Sequence, residues 1–270
     1  MNCFAILRRS VLLGCLALSA TAAQNNRASR WMDNCRDRGG RRYETFCETR
    51  DFTLPVTKSI TVDGRDNGGV TVHGWDKSQI QVTAMIQTQN ESQADARDLA
   101  KGINIRTDGG DVRADGPRGL GRRRSWSVSY ELWVPRHTEL RLNANNGGLE
   151  VDGVDARMDL ETTNGGLMLA DVDGDVRGTT TNGGVTVELS GDRWRGSGLD
   201  VRTTNGGVHL VVPTNYSARL ETGTVNGGMD INFPITVQGN IGRRLTTQLG
   251  TGGATIRAMT TNGGVTIRKR

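Results

Sequence analysis

The sequence predicts an all-β protein of the β-solenoid class, a single-stranded β-helix-like coil, and three observations carry that prediction. A Thr-x-Asn-Gly-Gly unit followed by an alternating strand recurs about every 20 residues through the second half of the chain, and self-similarity at such a period marks a stacked repeat. Apolar residues keep one strand parity in copy after copy. Glycine is abundant, 37 of 270 residues, while aromatics make up only 4%, which favours many short strands and tight turns over helices. With 35% apolar residues, a thin elongated core fits better than a thick spherical one.

The copies are NANNGGLEV at 143, ETTNGGLML at 161, TTTNGGVTV at 179, RTTNGGVHL at 202, GTVNGGMDI at 223 and MTTNGGVTI at 259. Their marker asparagines are Asn146, Asn164, Asn182, Asn205, Asn226 and Asn262, spaced by 18, 18, 23, 21 and 36 residues. The last interval contains a degenerate copy, LGTGGATIRA, around Gly252. Such a length suits a coil of two strands and two corners.

Side chains on a strand alternate faces. After each Gly-Gly the first and third residues are apolar, as in Leu149 and Val151, Leu167 and Leu169, Val185 and Val187, Val208 and Leu210, and Val265 and Ile267. Their neighbours, such as Glu150, Thr186 and Arg268, form the wet face. Counting backward from the motif, Leu160-Thr162-Asn164 and Val201-Thr203-Asn205 share one parity. The expectation is therefore an inward asparagine at each corner, hydrogen-bonded in a ladder from coil to coil beside a threonine ladder. The motif glycines are expected to supply positive φ at the corner. The rival fold, an antiparallel sandwich of Asn-Gly hairpins, does not require one motif to recur at coil length in the same register.

The chain divides, on this reading, into a leader at 1–22, a disulfide-stapled segment at 23–50, a less regular β segment with one short helix at 51–135, and regular repeats at 136–270. The leader has basic Arg8 and Arg9, an apolar stretch to Ala20 and a small-residue cleavage site at Ala20-Thr21-Ala22. A lipoprotein alternative exists because Leu12-Leu13-Gly14-Cys15 resembles a lipobox. Loss of Arg8 and Arg9 with the leader lowers the formal charge from +5 to +3. The mature chain keeps Cys35 and Cys47, which in an oxidising compartment most simply pair. In the irregular segment, Asn90 is expected to cap a helix running to about Lys101, with Gln93 completing the box. The segment and the staple are expected to close one end of the coil, and the charged tail Arg268-Lys269-Arg270 to guard the other.

At this point the runs GGVTVHGWD at 68, WSVSYELWVP at 126, VPTNYSARLETGTVNGG at 212 and GGATIRAMTTNGGVTIR at 252 resemble a bacterial family of putative adhesins, over about residues 50 to 270. The resemblance implies a β-solenoid-like fold and an envelope location, and it transfers no catalytic residue. The first copy, Arg65-Asp66-Asn67-Gly68-Gly69, departs from the pattern. Backward counting puts Arg65 and Asp63 on the inward parity, so that copy lacks the threonine ladder.

No catalytic constellation emerges. His73 and His209 fall on outward positions and His137 follows a Pro-Arg turn, while GxSxG and HExxH patterns are missing from the sequence. Asp171, Asp173 and Asp175 imitate a calcium loop with its glycine misplaced and no glutamate at the twelfth position. No cofactor or metal is expected. Trp75, Trp133 and Trp194 are candidate sugar platforms, Trp133 foremost because its parity opposes the core. Arg122, Arg123 and Arg124 head the basic clusters, which also include Arg36 to Arg42, as candidates to meet anionic envelope polymers. Nucleic acid is not an expected partner. The expected function is a non-enzymatic, exported envelope or surface protein, an adhesin-like scaffold that binds a polymer, a glycan or another envelope protein. The alternatives are a regulatory envelope component acting through a partner and, behind it, a polysaccharide-degrading enzyme.

Overall fold

The computed structural model describes residues 29–35, 43–121, 123–232 and 242–270. The expected leader, its lipobox-like alternative and the Arg36 to Arg42 cluster lie outside the described residues. The architecture is all-β, two ten-stranded sheets with a continuous apolar core between them. Each regular coil contributes one strand to each sheet, and the Asn-Gly-Gly segment carries the chain from one sheet to the other.

The first coil is β2 (Ser59–Asp63) and β3 (Val70–Trp75). Those that follow are β8 (Glu139–Ala144) with β9 (Leu149–Asp152), β10 (Asp155–Thr162) with β11 (Leu167–Ala170), β12 (Asp173–Asn182) with β13 (Val185–Glu188), and β14 (Gly198–Asn205) with β15 (Val208–Val212). They stack in parallel and in register, so that Leu149, Leu167, Val185 and Val208 are successive partners. All four are buried, as are Val151, Leu169, Val187 and Leu210 two residues on. Motif neighbours such as Asn182 and Val185 belong to different sheets, so no Asn-Gly hairpin forms.

The stacking order departs from chain order at the C-terminal end. The pair β16 (Ala218–Asn226) and β17 (Met229–Asn232) forms the outermost coil, and β18 (Arg244–Leu249) runs antiparallel to β16. The last pair, β19 (Thr255–Asn262) and β20 (Val265–Lys269), then inserts between β14–β15 and β16–β17. The degenerate copy around Gly252 is thus a turn between β18 and β19, not a coil corner. The Arg268-Lys269-Arg270 tail does not guard an open end either: Arg268 lies between Val211 and Asn232, and Arg270 N–H donates to Val212 O at 3.0 Å.

At the N-terminal end the sheet continues antiparallel, β1 (Glu44–Leu54) on β4 (Ile80–Asn90) on β7 (Ser125–Pro135), with β7 parallel to β3. A helix α1 at 29–35 is tied to β1 by a Cys35–Cys47 disulfide. In the other sheet β6 (Asp111–Asp115) pairs with β2, and β5 (Asn104–Arg106) with β6. The helix α2 (Gln93–Lys101) packs across the paired strands β4 and β1. Its cap is Ser92 rather than Asn90: Ser92 Oγ accepts from Asp95 N–H at 3.1 Å, while Asn90 Oδ1 accepts from Glu91 N–H at 2.8 Å, one residue before the helix can begin. Arg50, from β1, donates to Ala100 O at 2.9 Å and to Ile103 O, satisfying carbonyls at the far end of α2.

The corners are built differently from the expectation. The asparagines face outward, all six exposed, and the inward polar column is threonine alone. Thr162, Thr180, Thr203 and Thr260 are buried and donate to the carbonyls of Gly147, Gly165, Gly183 and Gly206 at 2.6–2.8 Å. Outside them the asparagine amides bond from coil to coil: Asn164 to Asn146, Asn182 to Asn164, Asn205 to Asn182, Asn262 to Asn205 and Asn226 to Asn262, each at 2.7–2.8 Å. Alternation fails here because it holds only while the backbone is extended. The corner starts just after the threonine, so Thr204 and Asn205 both face solvent.

The motif glycines also serve another purpose. None of them has positive φ. A Cβ on the first glycine of each pair would instead meet the carbonyl oxygen of its stacked counterpart: Gly165 against Gly147 at 2.0 Å, Gly183 against Gly165 at 2.0 Å, Gly206 against Gly183 at 2.1 Å. The glycine is required by the closeness of the next coil.

Candidate ligand-binding site

The first coil interrupts these columns. Asp63 pairs with Asn143 and Asn67 with Asn146, so three residues span the corner in the first coil where two span it in the next. Gly64 and Ala144 take the inward places that threonine fills elsewhere, and Arg65 is the extra residue. Its φ of 49° is left-handed, a conformation that costs a non-glycine residue about 1–2 kcal/mol. The side chain of Arg65 is partly buried and lines the opening at this corner, and Asp63 lies half-buried on the outer parity of β2, instead of inward as counted.

Above this corner opens a cavity of about 630 Å³, walled by β2, β6, the start of β7 and the segment 116–120. Asp115 anchors its rim between two guanidinium groups, accepting from Arg65 at 2.8 Å and from Arg106 at 2.6 Å. Trp126 forms one wall, its indole N–H donating to Pro117 O at 3.0 Å. Gly116 lets the chain pass the ring, because a Cβ there would stand 2.8 Å from Trp126 Cε2. Tyr130, 1% exposed, contributes to the floor. Burial, reinforced by the charge of Asp63 and then of Asp115 against the opposing effect of Arg65, holds its phenol well above the ordinary tyrosine range. The group therefore remains a protonated donor at physiological pH. Neither Tyr130 Oη nor Arg65 Nε has a hydrogen-bond partner within the protein, although both atoms are buried. An unsatisfied buried polar group costs about 1–3 kcal/mol, and two residues that line this cavity carry one each.

A family model described as Toastrack DUF4097 matches residues 57–268, most of the chain. The protein belongs to this family. The match opens just before β2, so β1, α1 and the disulfide precede the Toastrack core, while the cavity lies within it. The putative-adhesin resemblance points the same way. Similar solved structures include a putative cell adhesion protein from Clostridium sporogenes (12% identity, 83% of this chain and 100% of that one, TM-score 0.47). Others are a putative adhesin from Bacteroides fragilis (11%, 83% and 97%, TM-score 0.38) and a putative lipid binding protein from Parabacteroides distasonis (11%, 82% and 96%, TM-score 0.30). No curated protein matches the sequence.

The candidates singled out in the Toastrack sequence are scattered. Arg122 lies outside the described residues. Arg123 pairs with Glu91 at 3.3 Å, both exposed, and Arg124 N–H closes a turn onto Gly121 O. Trp133 sits near the opposite end of β7, nine residues beyond Arg124, so it shares no patch with them. It is half-buried and packs on His73, ring centroids 4.5 Å apart, and on Trp75 at 5.8 Å. Trp75 and Trp194 are 5% exposed and donate to Gln79 O and Gly174 O, so neither is an open platform. The three aspartates diverge: Asp173 holds Arg195 at 2.7 Å, Asp175 approaches Arg177 at 3.9 Å, and Asp171 accepts from Ser190. His73 reaches Glu131 at 3.5 Å and Asp152 at 3.8 Å, while His137 contacts Asp155 O. Among the described residues no group of His, Cys, Asp and Glu is arranged to hold a metal.

The outer face of the sheet containing β8 and β10 carries a second feature not legible from single copies. Register places Arg141, Asp159, Arg177, Asp200, Arg257 and Glu221 in one row across six stacked strands, alternating in sign. Arg257 bonds Glu221 at 2.6 Å and approaches Asp200 at 3.4 Å. Hydrogen bonding by Arg257 holds the Glu221 carboxyl below its usual range. Burial opposes the same effect at Asp200, but Arg202 and Arg257 outweigh it. Carboxyls depressed in the folded state contribute stability above their unfolded pKa, which is lost as pH falls through the folded value. Stability is therefore expected to be level above about pH 5 and to decline below about pH 4, and less steeply in Arg257→Gln. Urea midpoints measured across that interval check this.

Proposed function

We propose that this protein is a non-enzymatic binding scaffold, exported to the envelope or cell surface, where it holds a polymer or another envelope protein. The observation that carries this reading is the corner cavity, where two buried polar groups await partners on a frame made rigid by stacked strands, threonine bonds and the amide ladder. The Cys35–Cys47 disulfide supports an oxidising compartment, in keeping with the leader-like first residues. The alternating charge row is neutralised within itself, which favours shape and hydrogen bonding over ion exchange as the mode of recognition.

The mature protein is expected to co-sediment with at least one of purified peptidoglycan, lipopolysaccharide-bearing outer-membrane vesicles or fibrillar collagen. Retention should change little between about 0.15 and 0.5 M salt, since recognition by shape and hydrogen bonding is only weakly screened. Failure to bind all three would overturn the scaffold reading. Retention abolished by the higher salt would assign binding to the arginine clusters instead.

A further inference from the structure

We infer that the corner cavity is a saccharide site, taking one or two rings of a hydroxyl-rich glycan between Arg65, Arg106, Asp115, Trp126 and Tyr130. This rests on the scaffold reading and names its ligand class. The lining chooses among the small-molecule chemistries. Guanidinium and carboxylate groups are interleaved, Arg65 and Arg106 against Asp63 and Asp115, with Asp66, Asn67 and Arg118 at the margin. A phosphate or other compact anion would find its cations already bound to Asp115 and would meet further carboxylates beside them. An acyl chain would leave those charges without solvent. A sugar hydroxyl is donor and acceptor at once, and vicinal hydroxyls match alternating planar donors and acceptors.

The aromatic wall supports the same choice, because Trp126 offers an apolar surface to the C–H face of a ring while its N–H is already satisfied by Pro117. The floor supplies what is missing from the chain itself. Tyr130 Oη and Arg65 Nε are donors without partners, and a hydroxyl, directly or through a bridging water, completes them. A volume of about 630 Å³ lies inside the range of about 300–1,000 Å³ usual for small-molecule sites. The position is also preorganised: Arg65 is held in its left-handed bend by its own N–H donating to Asp63 Oδ1 at 2.8 Å, and by its ion pair with Asp115.

The test is titration of the full mature protein with methyl glycosides of glucose, galactose, mannose and N-acetylglucosamine and with cellobiose and chitobiose. Inorganic phosphate and decanoate serve as contrasting probes, and binding is followed by calorimetry and saturation-transfer NMR. At least one sugar is expected to bind at about millimolar Kd or tighter. Tyr130→Phe and Arg106→Gln should each weaken it at least about tenfold, with Lys101→Gln unchanged. Tyr130→Phe removes a hydroxyl that has no partner in the protein, so its thermal midpoint should not fall, which separates lost binding from lost folding. Equal sugar binding by wild type and both cavity variants would overturn the site. Binding of phosphate or decanoate in place of every sugar would overturn the ligand class. If no sugar binds while wild type and variants still co-sediment with a polymer, the cavity inference fails and the scaffold reading stands.

Discussion

Gly183→Ala is expected to destabilise the protein by at least about 3 kcal/mol, whereas Gly184→Ala, one residue later, should cost about 1 kcal/mol or less. The two positions share a motif, a corner and ordinary negative-φ or extended backbone. They differ in what lies beyond the missing Cβ. At Gly183 it would stand 2.0 Å from Gly165 O and 2.4 Å from Gly165 C, and neither is the movable end of a side chain. Relief requires parting two coils, which strains the Asn182 to Asn164 bond at 2.7 Å and the Thr180 hydroxyl bond to Gly165 O at 2.6 Å. At Gly184 the closest atom, Gly207 O, is 3.4 Å away, an ordinary contact. Urea midpoints of the two variants check the difference. Equal losses would mean that the glycines act through backbone freedom, as the sequence alone suggested.

That contrast shows which layer of the fold is readable from sequence. Inside a strand, period-two counting placed Leu167, Leu169, Val185 and Val187 in the core, because an extended backbone leaves a side chain no third direction. Carried through a corner the same count turned Asn205 inward, when the bend after Thr203 had already ended the alternation. At the first corner it failed for another reason: Arg65 is an inserted residue, and an insertion cannot be seen by counting from one copy. Stacking order was hidden altogether. The 36-residue interval before Asn262 records chain length, but a spacing does not say whether the last coil adds to the end or pairs between two earlier ones, as it does here. The cavity stayed out of sight for the same cause, since it joins Arg65, Arg106, Asp115 and Tyr130 from four separate segments. Its one visible sign was the irregular first copy, and the irregularity itself was the signal.

The threonine column, not the asparagine ladder, should dominate the hydrogen-bonded part of corner stability. Thr203→Val is expected to cost about 2 kcal/mol and Asn205→Ala about 1 kcal/mol. Thr203 is 4% exposed and donates to Gly183 O at 2.7 Å. Valine keeps its shape and leaves that carbonyl, enclosed between coils, without the hydroxyl. Asn205 makes two bonds, donating to Asn182 Oδ1 and accepting from Asn262 Nδ2, each at 2.8 Å. It is nonetheless exposed, so water can replace both partners, and the net worth of each bond shrinks accordingly. Chemical denaturation ranks the two variants, and amide exchange at Gly183 and Gly206 locates the damage. If Asn205→Ala proved the costlier change, bonds along the amide ladder would have to reinforce one another beyond their pairwise sum, and the ladder would be the element that sets coil register. If threonine leads, the exposed amides are left free to serve as a regular polar edge, running from the far coil up to Asn67 at the mouth of the cavity.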